Sequence, residues 1–299
     1  QLLLRPFGFR KSAAFHPGWS HADHAQAYFV CGGLPAYLEC FDRDRSIEQN
    51  LAVNFFRDSA ALAREPEFLL REEIRDVANY HGVLHSMAAL GETTNGGIAR
   101  AAGLGDRALP YYLGTLMELG YVRRRHPLHG ATNTARETRY AIADPLLRFW
   151  FRFVYPNLSR IPVLGPERSV RELVRPHFDA FCGEAFERLC REAIPLLHAA
   201  ETITATTTIG EFWAKDVQID TVALRDDGVI ELGECKWGAV RSPAALRAEL
   251  ATKIPSFPNR RAATVRLRYF TRDRVRPPIA VSGAPHATWH HLAALYAGG

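Results

Sequence analysis

Asp220, Glu234 and Lys236 are the residues of this sequence whose types and spacing could do chemistry: an acid, thirteen residues, a second acid, one residue and a lysine. Two carboxylates and an ammonium on one strand pair are awkward for a purely structural sheet, because charges on a partly buried face lose hydration. They suit a divalent metal instead. Asp220 and Glu234 offer hard oxygen ligands, the Cys235 carbonyl adds a third, and Mg²⁺ or Mn²⁺ would keep its remaining positions for water and a phosphate. Lys236 would then orient the attacking water and offset charge building on phosphorus. The plainer alternative is a Lys-Glu ladder on an exposed strand.

Whether these groups meet depends on how residues 217–237, VQIDTVALRDDGVIELGECKW, fold. Both arms are rich in Val, Ile, Leu and Thr, and Asp226-Asp227-Gly228 has turn chemistry, so the stretch reads as a β-hairpin. A three-residue loop, 226–228, sets Arg225 against Val229 and Asp220 against Glu234. Period two then adds Lys236 and Gln218 to the same face. A two-residue loop would oppose Asp220 to Cys235 and turn the carboxylates apart, since a one-residue slip flips every side chain. The three-residue loop is the expectation. Away from the acids, Val222, Leu224, Ile230 and Leu232 line one face, and Val217, Ile219, Ala223 and Val229 the other. That calls for helices on both sides of a mixed sheet.

Composition limits the function classes. The chain has 299 residues, 47% of them hydrophobic and 23% charged, which describes a globular protein with room for more than one core. No apolar run reaches the eighteen or so residues that span a bilayer, and the short leading Leu2-Leu3-Leu4 is no secretory signal. Five cysteines without a C-x-x-C pair indicate neither a disulfide framework nor a structural zinc, and point to reduced thiols in the cytoplasm. A net charge of +5 is compatible with a polyanionic partner.

Taken in order, residues 1–75 read as a helical, lid-like segment. Ser20 caps a helix with Asp23 three residues on, Cys31-Gly32-Gly33 ends it, and Glu65-Pro66-Glu67 interrupts the apolar pattern from 46 to 80. Residues 76–145 change character: an amphipathic helix to Gly91, a short helix, a glycine turn at 103–106, a helix from Arg107 to Gly120, and two strands near 121–125 and 138–142. That is the order of a winged helix-turn-helix. Its third helix presents Arg107, Tyr111 and Thr115, and its wing carries Arg123, Arg124, Arg125, Arg136 and Arg139. Such a wing suits DNA phosphates, which set affinity without reading sequence; the alternative is docking to an acidic protein. The aromatic run LLRFWFRFVYP reads as core or interface, 146–168 as a linker, and 169–299 as an α/β domain. Within that domain a helix is expected over 169–195, a strand near 203–209, a bend at Phe212-Trp213, a helix over 242–253, a strand over 264–270 and a terminal helical piece.

The acid, acid-x-lysine pattern resembles the PD-(D/E)XK phosphodiesterase superfamily. That resemblance implies a further catalytic glutamate in Gly183-x-x-Phe186-Glu187, namely Glu187, although Glu187 with Arg191 is also an ordinary i,i+4 helix pair. Over nearly its whole length the chain resembles the C-terminal two-thirds of archaeal-type P-loop ATPases, a STAND/AAA-like family. The matching residues are Gly32-Gly33-Leu34-Pro35-x-Tyr37-Leu38, Tyr112-Leu113, Leu119-Gly120-Tyr121-Val122 and Tyr140-x-Ile142-x-Asp144-Pro145-Leu146-Leu147-Arg148-Phe149-Trp150. They continue with Gly183-x-x-Phe186-Glu187, Gln218-Ile219-Asp220 and Gly233-Glu234-Cys235-Lys236-Trp237. The resemblance implies a lid bundle plus winged helix-turn-helix followed by a restriction-endonuclease-like α/β domain. The numbered chain starts at Gln1 and has no G-x-x-x-x-G-K-[ST], so ATP is expected only through an ATPase domain in cis or trans. Two functions follow as expectations: a Mg²⁺-dependent, DNA-binding phosphodiesterase using Asp220, Glu234, Lys236 and Glu187, or a non-catalytic DNA-binding or protein-docking module on a degenerate nuclease fold.

Overall fold

Short polar caps set the helix starts in the first part of the chain. The computed structural model describes residues 5–73, 77–91, 94–105, 107–129, 137–259, 262–279 and 283–297. After the single turn α1 (Phe9–Ser12), Ser20 opens α2 (His21–Cys31) by accepting the Asp23 N–H at 3.1 Å. Gly32, at φ +66°, ends that helix where a side chain would be strained. α3 (Pro35–Leu38) is one turn. Ser46 and Gln49 form a reciprocal capping box on α4 (Ile47–Phe55). α5 (Glu65–Glu73) starts at the acid and proline expected to interrupt the pattern, because a proline in the first turn forfeits no helical hydrogen bond.

α6 (Val77–Leu90) and α7 (Asn95–Ala102), the latter capped by Thr94, lead to the left-handed Gly103. α8 (Leu109–Glu118) follows. The antiparallel pair β1 (Val122–Arg125) and β2 (Arg139–Ile142) runs in the register Val122↔Ile142. Asp144 caps α9 (Pro145–Phe149), and the helical path continues through a π-helical turn, Trp150–Val154. The aromatic run is core: Phe149, Trp150, Phe151 and Phe153 are buried, and Phe149 lies 4.6 Å from Phe55 between ring centres. Each such burial contributes about 1.5–3 kcal/mol. The expected linker is mostly helical, with α10 (Ile161–Leu164), α11 (Pro166–Ser169) and a second π-helical turn, Val170–Val174.

α12 (Arg175–Ala200) runs past Pro195, where a helix end was expected. A five-stranded mixed sheet follows in the order β3-β4-β5-β6-β7, with β3 (Thr207–Ala214), β4 (Val217–Arg225) and β5 (Val229–Lys236) antiparallel. α13 (Pro243–Lys253), capped by Ser242, crosses to β6 (Thr264–Thr271). β6 and β7 (Ala287–His291) join in parallel, and α14 (Leu292–Tyr296) closes the described chain. Phe212 and Trp213 lie within β3, and the reversal falls at Lys215-Asp216. β7 replaces part of the terminal helix expected from ATWHHLAALY, because β6 offers its open edge to these residues.

The chain divides into two compact units. One holds residues 1–125 and 138–178; the other holds 126–137 and 179–299. In the second, helices cover both sheet faces, as the two apolar hairpin faces require. Leu246 and Leu250 of α13 pack with Val222, Leu232, Leu267 and Tyr269 on one side. On the other side α12 meets the sheet through His198, bonded to Glu231. Residues 126–129 and 137 belong to this second unit: the Leu128 N–H donates to the Glu211 carbonyl at 2.7 Å, and Trp213 Nε1 donates to the Glu137 carbonyl at 3.2 Å. Among the described residues no helix is long and apolar enough to cross a membrane.

Candidate functional site

The hairpin closes over the three-residue loop 226–228. Gly228 sits at φ +81°, Leu224 faces Ile230 and Thr221 faces Gly233, so one further step sets Asp220 across from Glu234. Arg225 fixes this turn by donating to Asp227 and to Glu231. At the far end the pairing with β3 slips. Gly210 opposes Val222 but Phe212 opposes Ile219, so the single residue Glu211 faces both Asp220 and Thr221. This bulge breaks the period of two. Ile219 therefore joins Val222 in the α13-side core and Gln218 is exposed, in place of the face sharing expected for Gln218.

The bulge also re-aims Asp220. Its Oδ2 accepts the Cys235 N–H at 2.9 Å, and its backbone carbonyl accepts a hydrogen bond from Arg191 of α12. Asp220 is 7% exposed and Glu234 2%. Burial, reinforced by the charge of Glu234, pushes the Asp220 carboxyl up from 3.8 to about 6, against the opposing pull of the Cys235 N–H, Lys253 and Lys236.

Glu234 is gripped at both oxygens. Oε1 lies 3.0 Å from Lys236 Nζ, and Oε2 lies 2.6 Å from Lys253 Nζ of α13. Both ammoniums also reach Glu249, at 3.3 and 3.4 Å. Burial works against the charge of each lysine, but the pairing with Glu234 and Glu249 outweighs it, and both titrate above their ordinary value. Lys236 and Glu249 stand on the wall of a cavity of about 390 Å³ together with Arg241 and Ser242, so the cluster opens to a groove.

Glu187 belongs to a neighbouring ion chain. Arg191 lies 3.8 Å from Glu187 and 3.1 Å from Glu211, so the i,i+4 pair is present, with its arginine drawn to the bulge. The sequence-assigned metal ligands are thus two side chains, Asp220 and Glu234, plus the Cys235 carbonyl. Among the described residues no group of three or more His, Cys, Asp or Glu side chains is spaced to hold a metal ion. Lys253, Glu249 and Arg191 were not expected at the site. The i,i+4 spacing of Glu249 and Lys253 was the signal for the first two.

A second polar cluster lies on the α12 side. Arg268 donates to Glu231 at 2.6 and 3.1 Å and to Glu201 at 2.7 Å through both terminal nitrogens, and His198 lies 2.9 Å from Glu231. Burial and the charge of Arg268 lower the His290 imidazole to about 4. These groups satisfy one another and brace the helix on the sheet.

The residues expected at a nucleic-acid surface do not act alike. Tyr111 is 70% exposed on α8, and Arg124 is exposed with its guanidinium 5.9 Å from the centre of the Tyr140 ring. Arg107 is exposed but precedes α8 instead of lying in it. Arg123 and Arg139 are half-buried, and Arg136 lies outside the described residues. Arg125 is 5% exposed, which takes it out of reach of a phosphate: the two ends of β1, Val122 and Arg125, are buried while Arg124 between them faces out.

Comparison with known proteins adds a relationship without an activity. Residues 150–248 match the family DUF234, described as archaeal and bacterial proteins of unknown function. An uncharacterized protein of Methanocaldococcus jannaschii is 26% identical over 240 residues, covering 79% of this chain and 53% of that protein. The chain thus spans about half the length of the curated relative it matches. No solved structure matches significantly.

Proposed function

We propose that this chain is the DNA-binding, phosphodiester-cleaving part of an archaeal-type ATPase, with a PD-(D/E)XK-like second unit whose reaction centre is Asp220, Glu234 and Lys236. The observation that carries the reading is the convergence of two buried carboxylates at one strand end, one of them pushed up to about 6 by burial and by the other's charge. A divalent cation relieves that repulsion, and the donors are hard oxygens, so Asp220, Glu234 and the Cys235 carbonyl fit Mg²⁺ or Mn²⁺. When bound, the ion supplies Lewis-acid polarisation and an activated water. Lys236, on the cavity wall, would orient that water and neutralise developing charge. Glu249 offers the lysines a second carboxylate once Glu234 turns to the metal. Glu187 acts through Arg191, which holds the Asp220 backbone.

In the same reading, the order α6, α7, α8, β1, β2 is a winged helix-turn-helix, and Arg107, Tyr111 and Arg124 carry its contact with DNA phosphates. ATP enters only through a nucleotide-binding domain in cis or trans. A cytoplasmic setting, which keeps thiols reduced, belongs to the same reading. A second reading draws on the two lysines at Glu234: a carboxylate fully paired with ammoniums serves equally as the brace of a non-catalytic scaffold.

The test is incubation of the protein with plasmid and single-stranded DNA in Mg²⁺, Mn²⁺ or EDTA. Metal-dependent cleavage that disappears in Asp220→Asn and Lys236→Ala supports the enzyme. Salt-sensitive DNA binding without cleavage, unchanged in Asp220→Asn and weakened by Arg124→Ala, supports the scaffold.

A further inference from the structure

We propose that the first unit carries a binding site for a small phosphate-bearing molecule, in a cavity of about 340 Å³ flanked by the two π-helical turns. This site stands apart from the chemistry proposed for Asp220 and Glu234 and does not depend on it.

Its lining is cationic. Arg152 and Arg160 contribute guanidinium groups, and His85 and His177 add imidazoles. The single lining acid, Glu172, is already paired with Arg168 at 2.6 Å. Leu173 and Pro156 supply apolar wall. Planar guanidinium forks match the oxygens of a phosphate better than any other side chain does, and two of them suit a dianion more than a carboxylate.

The arginines are held in place before any ligand arrives. Arg152 donates from one terminal nitrogen to the carbonyls of Ala88 and Ala89 at 2.8 and 2.7 Å, in the last turn of α6. Asn157 links the other arginine to the wall: its Nδ2 donates to the Phe153 carbonyl at 3.0 Å, and its Oδ1 accepts from Arg160 at 3.2 Å. Groups fixed in this way lose little freedom on binding, which favours affinity.

The backbone marks the same place. π-Helical turns are rare and recur at functional sites. Here Phe151, Arg152 and Phe153 come from one π turn and Glu172 and Leu173 from the other, so both abnormal turns line the same cavity. The volume lies at the low end for small-molecule sites, so a nucleotide-sized phosphate ester or pyrophosphate is the class it fits.

The experiment is titration calorimetry of the whole chain with inorganic phosphate, pyrophosphate, AMP and a short DNA duplex. Saturable binding of pyrophosphate or AMP is expected. It should weaken with salt and fall by about tenfold or more in Arg160→Ala, the loss of one charge-assisted contact. Arg160 is exposed and its replacement should leave the fold intact, which circular dichroism checks; Asn157→Ala, which releases the guanidinium and the Phe153 carbonyl but keeps both arginines, should weaken binding less. No saturable binding of any small probe at about 1 mM overturns the proposal. So does equal binding by Arg160→Ala, or an effect of Arg160 on the duplex alone.

Discussion

Asp220→Asn tests the idea that the site is strained by its own charge. The Asp220 carboxyl titrates at about 6 in the folded chain, against an ordinary 3.8. The native state therefore holds this proton more tightly than the unfolded chain does. Between those two pH values the native protein binds more protons, so unfolding free energy falls as pH rises, and the loss is complete above about 6. A shift of roughly two units is worth about 3 kcal/mol. Asparagine removes the charge yet keeps an oxygen for the Cys235 N–H. The variant should match the parent near pH 4 and exceed it by up to about 3 kcal/mol at pH 8. Urea melts followed by tryptophan fluorescence read this, since Trp213, Trp237 and Trp289 all lie in the second unit. Mg²⁺ should restore the parent and leave the variant unmoved, by about 2.7 kcal/mol at a hundredfold excess over Kd. A variant no more stable than the parent at pH 8 would refute the reasoning, because the carboxylates would then need no cation.

Further outcomes follow from the same geometry. Lys253→Met removes an ammonium that competes for Glu234, and calorimetry should show Mg²⁺ binding about tenfold tighter, equivalent to about 1.4 kcal/mol; unchanged affinity would show that the lysine does not compete. Arg268→Ala leaves Glu231 buried with too few partners and should cost about 3–5 kcal/mol in a urea melt, whereas the paired replacement Glu231→Gln with Arg268→Met should recover much of it. In Gly233→Ala the new Cβ would meet Thr221 Oγ1 at 2.2 Å and the Arg268 carbonyl at 2.7 Å. That crowding should cost at least about 1–3 kcal/mol, and a melt equal to the parent's would mean that the strands can part. Ser46→Ala breaks the capping box on α4 and should lower stability by about 1 kcal/mol, read from the thermal midpoint.

What the sequence disclosed was chiefly local. Ser20 with Asp23 announced α2, Asp226-Asp227-Gly228 announced the loop, and that loop set Asp220 against Glu234 by counting. What it concealed depends on partners far along the chain. The bulge at Asp220-Thr221 is a property of the pairing with Glu211, and no periodicity within 217–237 contains it. Arg268 meets Glu231 across 37 positions and two separate strands. β7 has no alternation to show because all five of its residues are half-buried at a sheet edge. The arginine run 123–125 carries no sign of which side chain is buried: Arg125 is, at the end of β1, while Arg124, on the same strand face as the buried Val122, is exposed.

The reach of residues 126–129 and 137 into the second unit bears on how the protein can be cut. A fragment beginning at Asp179 would lack Leu128, whose side chain packs over Gly210, and the Glu211 carbonyl would lose its donor. β3, the outermost strand, would then offer a bare rim to other molecules, a template for aggregation. The α/β half is thus not a contiguous cassette, and recombinant versions should retain residues 126–129 and 137.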